Sequence, residues 1–414
     1  METTTTQPAG QGRAEPSGLA AIFLASVKHN TKQFTMALAL IAIWVIFALL
    51  TDGVFITPRN LSNLFVQTVT TAILAIGMVL VIVTGHIDLS VGSVLGFLGA
   101  ICAMLMIHED YGWGVVPAVA ATLVAGLAVG AWHGFWVAYR KVPAFIVTLA
   151  SMLAFRGLII GLTGGQTQGL EMAPESTAET FKLIGQGYLP TFAEAEVGQI
   201  HDTSLYFTIV LVLLFVLQGL RARNARKKFG FAVLPGWAEA GKLALSSALI
   251  VGFGMIMVTY LGIPYQIVLL LALAVILNFV AGNTTFGRRL YAIGGNPEAA
   301  RLSGINVPRH TFGLFVLMGL MTAIAGIVYT SRLNAATTSA GQNAELDAIA
   351  AAVIGGTSLL GGEGTIFGAI IGALVMTSLD NGMSLMNLDI TFQYVVKGLI
   401  LLLAVWVDMI QRKK

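Results

Sequence analysis

Apolar stretches that carry almost no charge are the feature that most constrains this chain. Twelve such runs can be distinguished, several of them short. They cover residues 34–50, 66–84, 89–107, 115–138, 144–162, 204–220, 243–260, 264–281, 312–329, 346–360, 365–379 and 392–409. Crossing a bilayer core requires about 20 mostly apolar residues per helix. The pattern therefore predicts an all-α integral membrane protein, a polytopic helical bundle of about 12 spans.

Composition excludes a soluble chain. Hydrophobic residues make up 56% of the sequence and charged residues only 10%, against about 25% charged residues in soluble domains. The 47 glycines suit helix packing in lipid, where small residues let backbones approach closely. The single cysteine, Cys102, lies within an apolar run, so we expect neither disulfides nor a thiol-ligated metal site.

The distribution of basic residues predicts the orientation. With the amino terminus inside and the runs alternating, 18 of the 23 lysines and arginines fall on the cytoplasmic side, 3 outside and 2 within spans. This agrees with the retention of basic loops in the cytoplasm. We therefore expect both termini to be cytoplasmic, with a disordered tail over residues 1–33 and one membrane domain over residues 34–414.

Two long hydrophilic loops fall on opposite sides. Residues 163–203 are predicted to be periplasmic and carry six acidic residues against one basic residue, Lys182. Two interpretations stay open: a docking surface for a soluble partner, or the plain complement of the basic bias inside. Residues 282–310 are predicted to be cytoplasmic.

The second half of this cytoplasmic loop has the signals of a short helix. Asn296 is suited to cap it, Pro297 to its first turn and Glu298 to its positive end. Gly304 is a good helix stop. From periodicity alone, an ordinary helix lying at the membrane interface is an equally valid interpretation.

The sequence of this loop resembles that of a known protein family. Glu298, Ala299, Ala300 and Gly304 form the pattern EAAxxxG, which resembles the coupling-loop motif of permease subunits in ATP-binding-cassette importers. The longer segment YAIGGNPEAARLSGINV is similar to the loop of the ribose, xylose, arabinose and galactose permeases. ILAIGMVLVIVTGHIDLSVGSVLGFLGA, ELDAIAAAVIGGTSLLGGEGTIFGAIIGAL and VVKGLILLLAVWVD resemble the same family in the expected order.

The resemblance implies a permease subunit that imports monosaccharides across the bacterial inner membrane. It implies a second copy of the permease, ATP-binding-cassette subunits that hold ATP and magnesium, a periplasmic sugar-binding protein, and no cofactor or metal on this chain. The implied ATPase-coupling residues are Gly294, Gly295, Asn296, Glu298, Ala299, Ala300, Ser303 and Gly304. Shorter members have ten spans, and an extra helix pair beside the RARNARKK loop favours the longer xylose and multiple-monosaccharide branch.

Glycine-flanked breaks and charges within apolar runs are candidates for the translocation path. GHIDLSVG contains Asp88 and Ser90, and SLLGGEGT contains Gly361 and Gly362. Interrupted helices can offer polar groups to a solute, but Asp88 could equally cap the next helix. Arg156 and Lys397 lie inside apolar runs, where a charge marks either a functional site or a side chain that reaches the interface. For Lys397 we favour a helix-packing or helix-end position.

Two other functions remain as alternatives: a secondary active sugar transporter and an ATP-driven permease for amino acids. Proton-coupled carriers commonly have several ionisable residues in their spans, and few are found here. The sequence has no HExxH, GxSxG or GxxxxGK[ST] pattern, so it predicts neither a membrane enzyme nor an ATPase. Nothing in it indicates nucleic-acid binding.

Overall fold

The computed structural model describes residues 31–412 apart from 109–111, 193–199, 232 and 234. This part of the chain is built from fifteen helices and two short strands. The helices are α1 (Thr31–Leu50), α2 (Pro58–Val83), α3 (Val91–Ile107), α4 (Val115–Gly134), α5 (Ala144–Thr163), α6 (Glu175–Gln186), α7 (Asp202–Lys228), α8 (Gly236–Val258), α9 (Tyr265–Asn283), α10 (Thr285–Gly295), α11 (Pro297–Leu302), α12 (Val307–Leu333), α13 (Ala344–Ile354), α14 (Ile366–Leu385) and α15 (Ile390–Arg412). The strands are β1 (Gln168–Gly169) and β2 (Ala335–Ala336), which pair antiparallel.

Many of these helices have the length and composition of membrane spans. Among the described residues, eight are long and apolar enough to cross a membrane: α2, α5, α7, α8, α9, α12, α14, and α4 continued to Tyr139. Shorter apolar helices lie within α1, α3 and α15. The predicted all-helical, polytopic membrane protein is confirmed at this level.

The core is formed around α2 and α12. Of the apolar stretch of α2, 83% is buried, and it packs against α12, α13 and α14. Helix α12 also packs along α3 and α4. At the α4 contact, Gly126 and Gly130 lie against Gly319, so the two backbones approach closely, as small residues permit in membranes. The α7–α8 pair lies outside this core, because only 11% of the apolar stretch of α7 is buried.

The bundle has two ends, named here by the helices they carry. The α6 end contains most of the predicted loop 163–203, which is largely ordered: it forms β1, a short turn of helix and the amphipathic α6. Gly185 N–H donates to Ser331 Oγ at 2.8 Å, and Gln266 Nε2 donates to the Gly185 carbonyl at 2.6 Å. These contacts fix α6 onto α12 and α9. Two of the acidic residues, Glu194 and Glu196, lie outside the described residues.

The α11 end differs from the prediction in two places. RARNARKK, residues 221–228, is not a loop but the last turns of α7, because arginine, lysine and alanine are good helix formers and basic side chains suit a helix carboxyl end. The first half of the loop 282–310 also forms a helix, α10, capped by Thr284 Oγ1, which accepts from Gly287 N–H at 3.2 Å. The predicted tail 1–33 lies outside the described residues up to residue 30, and α1 begins at Thr31.

The predicted span 346–360 is only partly helical. Helix α13 has 11 residues, or about 16 Å at 1.5 Å per residue, roughly half of a bilayer core of about 30 Å. Non-helical residues 355–365 follow it. β2 pairs with β1 at the α6 end, while Gly362 N–H donates to the Val83 carbonyl at the α11 end, at 2.8 Å. The segment therefore joins the two ends of the bundle with an interrupted helix.

Candidate functional site

The short helix α11 is capped at its amino end as the sequence predicts. Asn296 is the residue before it, and its Oδ1 accepts from Ala299 N–H at 3.0 Å. Pro297 occupies the first helical position, where its missing N–H leaves no donor unsatisfied. Glu298 lies in the first turn, next to the positive end of the helix dipole.

The carboxyl end of α11 is closed by two backbone hydrogen bonds. Ile305 N–H donates to the Ala300 carbonyl at 3.1 Å, and Gly304 N–H donates to the Arg301 carbonyl at 3.0 Å. This pair is the Schellman arrangement, which places the residue after the cap in the left-handed region. Gly304 has φ of 81°, a conformation that a glycine adopts at no steric cost. Ser303 is the cap residue.

Most of the α11 surface is free within this chain. Ala300 is buried, whereas Glu298, Ala299 and Ser303 are exposed, and 78% of Leu302 is exposed. Arg301 Nε donates to Glu298 Oε2 at 3.1 Å, and this hydrogen bond raises the pKa of Arg301. The helix thus presents an apolar side chain beside an exposed ion pair, a surface suited to another protein.

Helix α10 connects α11 to the interrupted segments. Gly294 lies against the Val83 carbonyl and Gly362 so closely that a side chain would collide with the former. Tyr291 Oη donates to the Gly364 carbonyl at 2.8 Å. Gly294 and Gly295 therefore contact Gly361 and Gly362. The sequence predicts separate roles for these pairs, the first in ATPase coupling and the second in the translocation path.

Asp88 and Ser90 lie together in the non-helical segment before α3. Asp88 is buried, and its Oδ1 accepts from Ser90 N–H at 2.8 Å and from Ser90 Oγ at 2.6 Å. This is the capping arrangement that the sequence analysis kept as the alternative to a solute contact.

Arg156 holds a loop in place. Its Nη1 donates to the carbonyls of Ala340 at 2.9 Å and Thr338 at 3.3 Å. The guanidinium thus supports the segment that leads into α13. It does not reach toward the membrane interface at the end of α5.

The amino ends of α3 and α13 meet inside the bundle. Gly92, in the first turn of α3, lies against the Gly341 carbonyl and the carboxylate of Glu345 in α13. Both helices are preceded by non-helical residues, 84–90 and 337–343. Such backbone is tolerated at membrane depth where it is buried in protein or lines a cavity, and interrupted helices of this kind form solute sites in transporters.

One charged cluster was missed. Lys397 Nζ lies 3.1 Å from Asp347 Oδ2 and 2.8 Å from Asp380 Oδ2, so Lys397 is a packing residue that joins α13, α14 and α15. The sequence signal was available, because an acidic residue within an apolar run calls for a basic partner. What it lacked was the register that brings three helices together.

The fold and this site define a multi-pass membrane permease. The chain belongs to the family described as "Branched-chain amino acid transport system / permease component", whose model matches residues 60–405.

Individual relatives cover nearly the whole chain. It is 48% identical over 385 residues to the xylose transport system permease protein XylH of Escherichia coli strain K12, covering 93% of each chain. A protein of the same name from Haemophilus influenzae is 46% identical, over 93% of this chain and 98% of that protein. The ribose import permease protein RbsC of Escherichia coli strain K12 is 35% identical, over 92% of this chain and 96% of that protein. No solved structure matches.

Proposed function

We propose that this chain is the membrane subunit of an ATP-driven importer for a monosaccharide, xylose or a related pentose or hexose. It acts as a homodimer in the bacterial inner membrane, with ATP-binding-cassette subunits on the cytoplasmic side and a sugar-binding protein on the periplasmic side. ATP and magnesium bind to the cassette subunits. The observation that carries the proposal is α11, an exposed helix capped at both ends and attached through α10 to the interrupted segments of the core.

The attachment of α10 provides a mechanical route. A cassette that moves α11 also moves α10, because Asn296 alone separates the two helices. Helix α10 packs against Val83 and Gly362 and is hydrogen-bonded to the Gly364 carbonyl through Tyr291. Displacement at α11 therefore reaches the end of α2 and the segment between α13 and α14, which lie within the core. A movement of the cassette subunit could thus shift the equilibrium between the outward-open and the inward-open state of the permease through packed helices.

The proposed orientation places the α11 end in the cytoplasm, following the basic residues. The α6 end then faces the periplasm, and both termini are cytoplasmic. Twelve crossings result: the eight long apolar helices, the three shorter ones, and the segment interrupted at α13. Glu171, Glu175 and Glu179 are exposed at the α6 end and provide an acidic surface for the binding protein.

The substrate class rests on the relatives. Those reported above are named for xylose and ribose transport, whereas the family description names branched-chain amino acids. An amino-acid substrate is thus a second candidate. A proton-driven sugar carrier is a third candidate, although a carrier of that kind has no ATPase subunit for the exposed α11 to bind.

Transport by the reconstituted complex separates these candidates. The permease is co-expressed with an ATP-binding-cassette subunit and a sugar-binding protein of the same organism, and the complex is placed in proteoliposomes. We expect uptake of radiolabelled D-xylose or D-ribose that requires ATP and the binding protein, and no uptake of leucine. Leucine uptake in place of sugar would support the amino-acid function, and sugar uptake driven by a proton gradient without ATP would contradict the importer.

A further inference from the structure

Two polar cavities lie in line between the α6 end and the middle of the bundle. The outer cavity, about 450 Å³, is lined by Asn63, Gln67, Gln186, Gln266 and Arg332 among others. The inner cavity, about 220 Å³, shares Gln67 and Arg332 with it and adds a deeper set of side chains. These include Thr70, Tyr329, Gln342, Asp347, Thr377 and Asp380. Because the cavities share two lining residues, they adjoin at Gln67 and Arg332.

The inner cavity ends where the helices α3 and α13 begin. Gly341 lines it and lies directly against Gly92, so the crossing of the two segments closes its floor. A third cavity of about 630 Å³ lies toward the α11 end, lined by Gly85, His86, Glu298 and Arg301 among others. This third cavity shares no lining residue with the inner cavity.

One face of α2 supplies much of the polar lining. Asn63, Gln67, Thr70 and Thr71 follow at helical spacing, in the first half of a helix whose second half, residues 72–83, is apolar and buried. Polar groups on a buried span are costly unless they pair or face a cavity. Their position along two adjoining cavities accounts for this pattern.

Several lining atoms lack a partner in the described part of the chain. Thr70 Oγ1 and Asp380 Oδ1 in the inner cavity and Gln266 Oε1 in the outer cavity are buried without a hydrogen bond. An unsatisfied buried polar atom costs about 1–3 kcal/mol, so most such atoms in proteins have a partner. All three have almost no accessible surface, so a solute reaches them only after their side chains rotate toward the cavities.

The charges at the inner cavity balance. Asp347 and Asp380 share Lys397, and Arg332 provides a second positive group at the wall. A neutral solute therefore enters without leaving a net charge unpaired. A sugar hydroxyl both donates and accepts, so it can donate to the carboxylate of Asp380, whose side chain is 30% exposed, and accept from a guanidinium or amide. A volume of about 220 Å³ is below the about 300–1,000 Å³ of sites for drug-sized ligands, as a monosaccharide requires.

We propose that the inner cavity is the transport site for one monosaccharide, held by Gln67 and Thr70 of α2, Arg332 of α12 and Asp380 of α14, and that the outer cavity is its entrance. This inference rests on the proposed function, since it names the contacts of the imported sugar.

The test removes single polar groups without changing shape. Thr70→Val and Gln67→Met are compared with Thr122→Val, which removes an equally buried hydroxyl on α4 that donates within its own helix. Uptake of radiolabelled D-xylose is measured with the complete complex in proteoliposomes. We expect the half-saturating concentration or the rate to worsen about fivefold to tenfold in the first two variants, because a lost hydrogen bond of about 1–1.5 kcal/mol corresponds to that factor. Thr122→Val should transport as the unmodified complex does.

Thiol labelling tests the cavity independently of transport. Cys102, the single native cysteine, is buried and is replaced by serine. In that background, a cysteine in place of Gln67 should react with a membrane-impermeant methanethiosulfonate added from the periplasmic side, and excess D-xylose should slow the reaction. A cysteine in place of Thr122 should stay unreactive.

The outcomes separate the two proposals. Uptake by Thr70→Val and Gln67→Met equal to that of Thr122→Val would overturn the site while leaving the importer intact. An unmodified complex that takes up no sugar would contradict the proposed function instead. If, in addition, D-xylose does not slow the thiol labelling of the Gln67→Cys variant, the proposed sugar site would be overturned as well.

Discussion

At Gly304 the backbone has φ of 81°, and this one angle decides how the chain leaves α11. A valine there would be forced into the left-handed region, which is an outlier for β-branched residues and costs about 1–3 kcal/mol. Nothing lies near the position of its Cβ, so the effect would be conformational. We expect Gly304→Val to reduce sugar uptake sharply and to make ATP hydrolysis by the complex insensitive to loaded binding protein, with the permease inserted at the normal level.

The matched control is Gly304→Asn, because asparagine tolerates the left-handed conformation better than other side chains. It should keep most of the uptake and the stimulation of ATP hydrolysis. Equal behaviour of both variants at normal expression would remove the coupling role from the end of α11.

Lys397 pairs with two carboxylates inside the bundle. Removing one member of a buried ion pair costs about 3–5 kcal/mol, because the partner is left charged and unpaired. Lys397 and Asp347 are 18% and 17% exposed, so solvent compensates little. We expect Lys397→Met to lower the free energy of unfolding by about this amount, measured by thermal unfolding in detergent. Adding Asp347→Asn should restore part of the loss; no restoration would show that the cluster does not act through charge.

The two residue-scale features differ in what the sequence could reveal. The cap at Asn296 and the stop at Gly304 are formed by residues within one short segment, so local chemistry predicts them. The partners of Lys397 come from two other helices, and Asp347 is 50 positions away. Without the register of α13, α14 and α15, a single lysine in an apolar run indicates a packing role but no partner.

At the scale of the element, α11 is the proposed docking helix, and it has one prominent apolar side chain. Leu302 is 78% exposed, which a cassette subunit would bury on binding. We expect Leu302→Asp to release the cassette subunit during affinity purification of the complex, because a buried unpaired charge is strongly unfavourable at an interface. Leu302→Met preserves apolar volume and should retain the subunit. Full retention by the aspartate variant would place the docking surface elsewhere.

The helices themselves show where periodicity succeeds and where it fails. Long apolar runs predicted α2, α9 and α12 because burial in lipid or core requires the same residues. The run 346–360 predicted a span that the structure divides into α13 and a glycine-rich segment. Gly356, with φ of 89°, and the contact of Gly362 with Val83 end the helix early. Such a close approach between distant segments leaves no local pattern.

For the whole molecule, the important relation is between the interrupted segments and the cavities. Asp88, Ser90, Arg156, Gly361 and Gly362 were predicted from the sequence as candidates for the path, and this assignment stays a prediction. None of them lines the two polar cavities of the α6 side. Asp88 and Arg156 instead bind the non-helical segments before α3 and α13, and Gly361 and Gly362 contact α10. The breaks were visible as glycine-flanked motifs, whereas the residues proposed to face the solute are ordinary glutamines and threonines whose shared face appears only once α2 is packed.

The last prediction concerns the orientation of the whole bundle. Helices α7 and α8 pack mainly on each other. Two crossings more or fewer leave α11 on the same side of the membrane, so only a reporter placed between α7 and α8 tests whether this pair crosses.

Alkaline phosphatase, which is active only after export, is fused after Lys228, after Arg301 or after Glu179. The basic end of α7 should be retained in the cytoplasm, so we expect no activity after Lys228 or Arg301 and high activity after Glu179 in α6. A fluorescent protein that folds only in the cytoplasm should give the opposite pattern at the same three positions. Phosphatase activity after Lys228 together with none after Arg301 would show that the α7–α8 pair does not cross the membrane, and would reduce the bundle to the ten crossings expected for shorter members of the family.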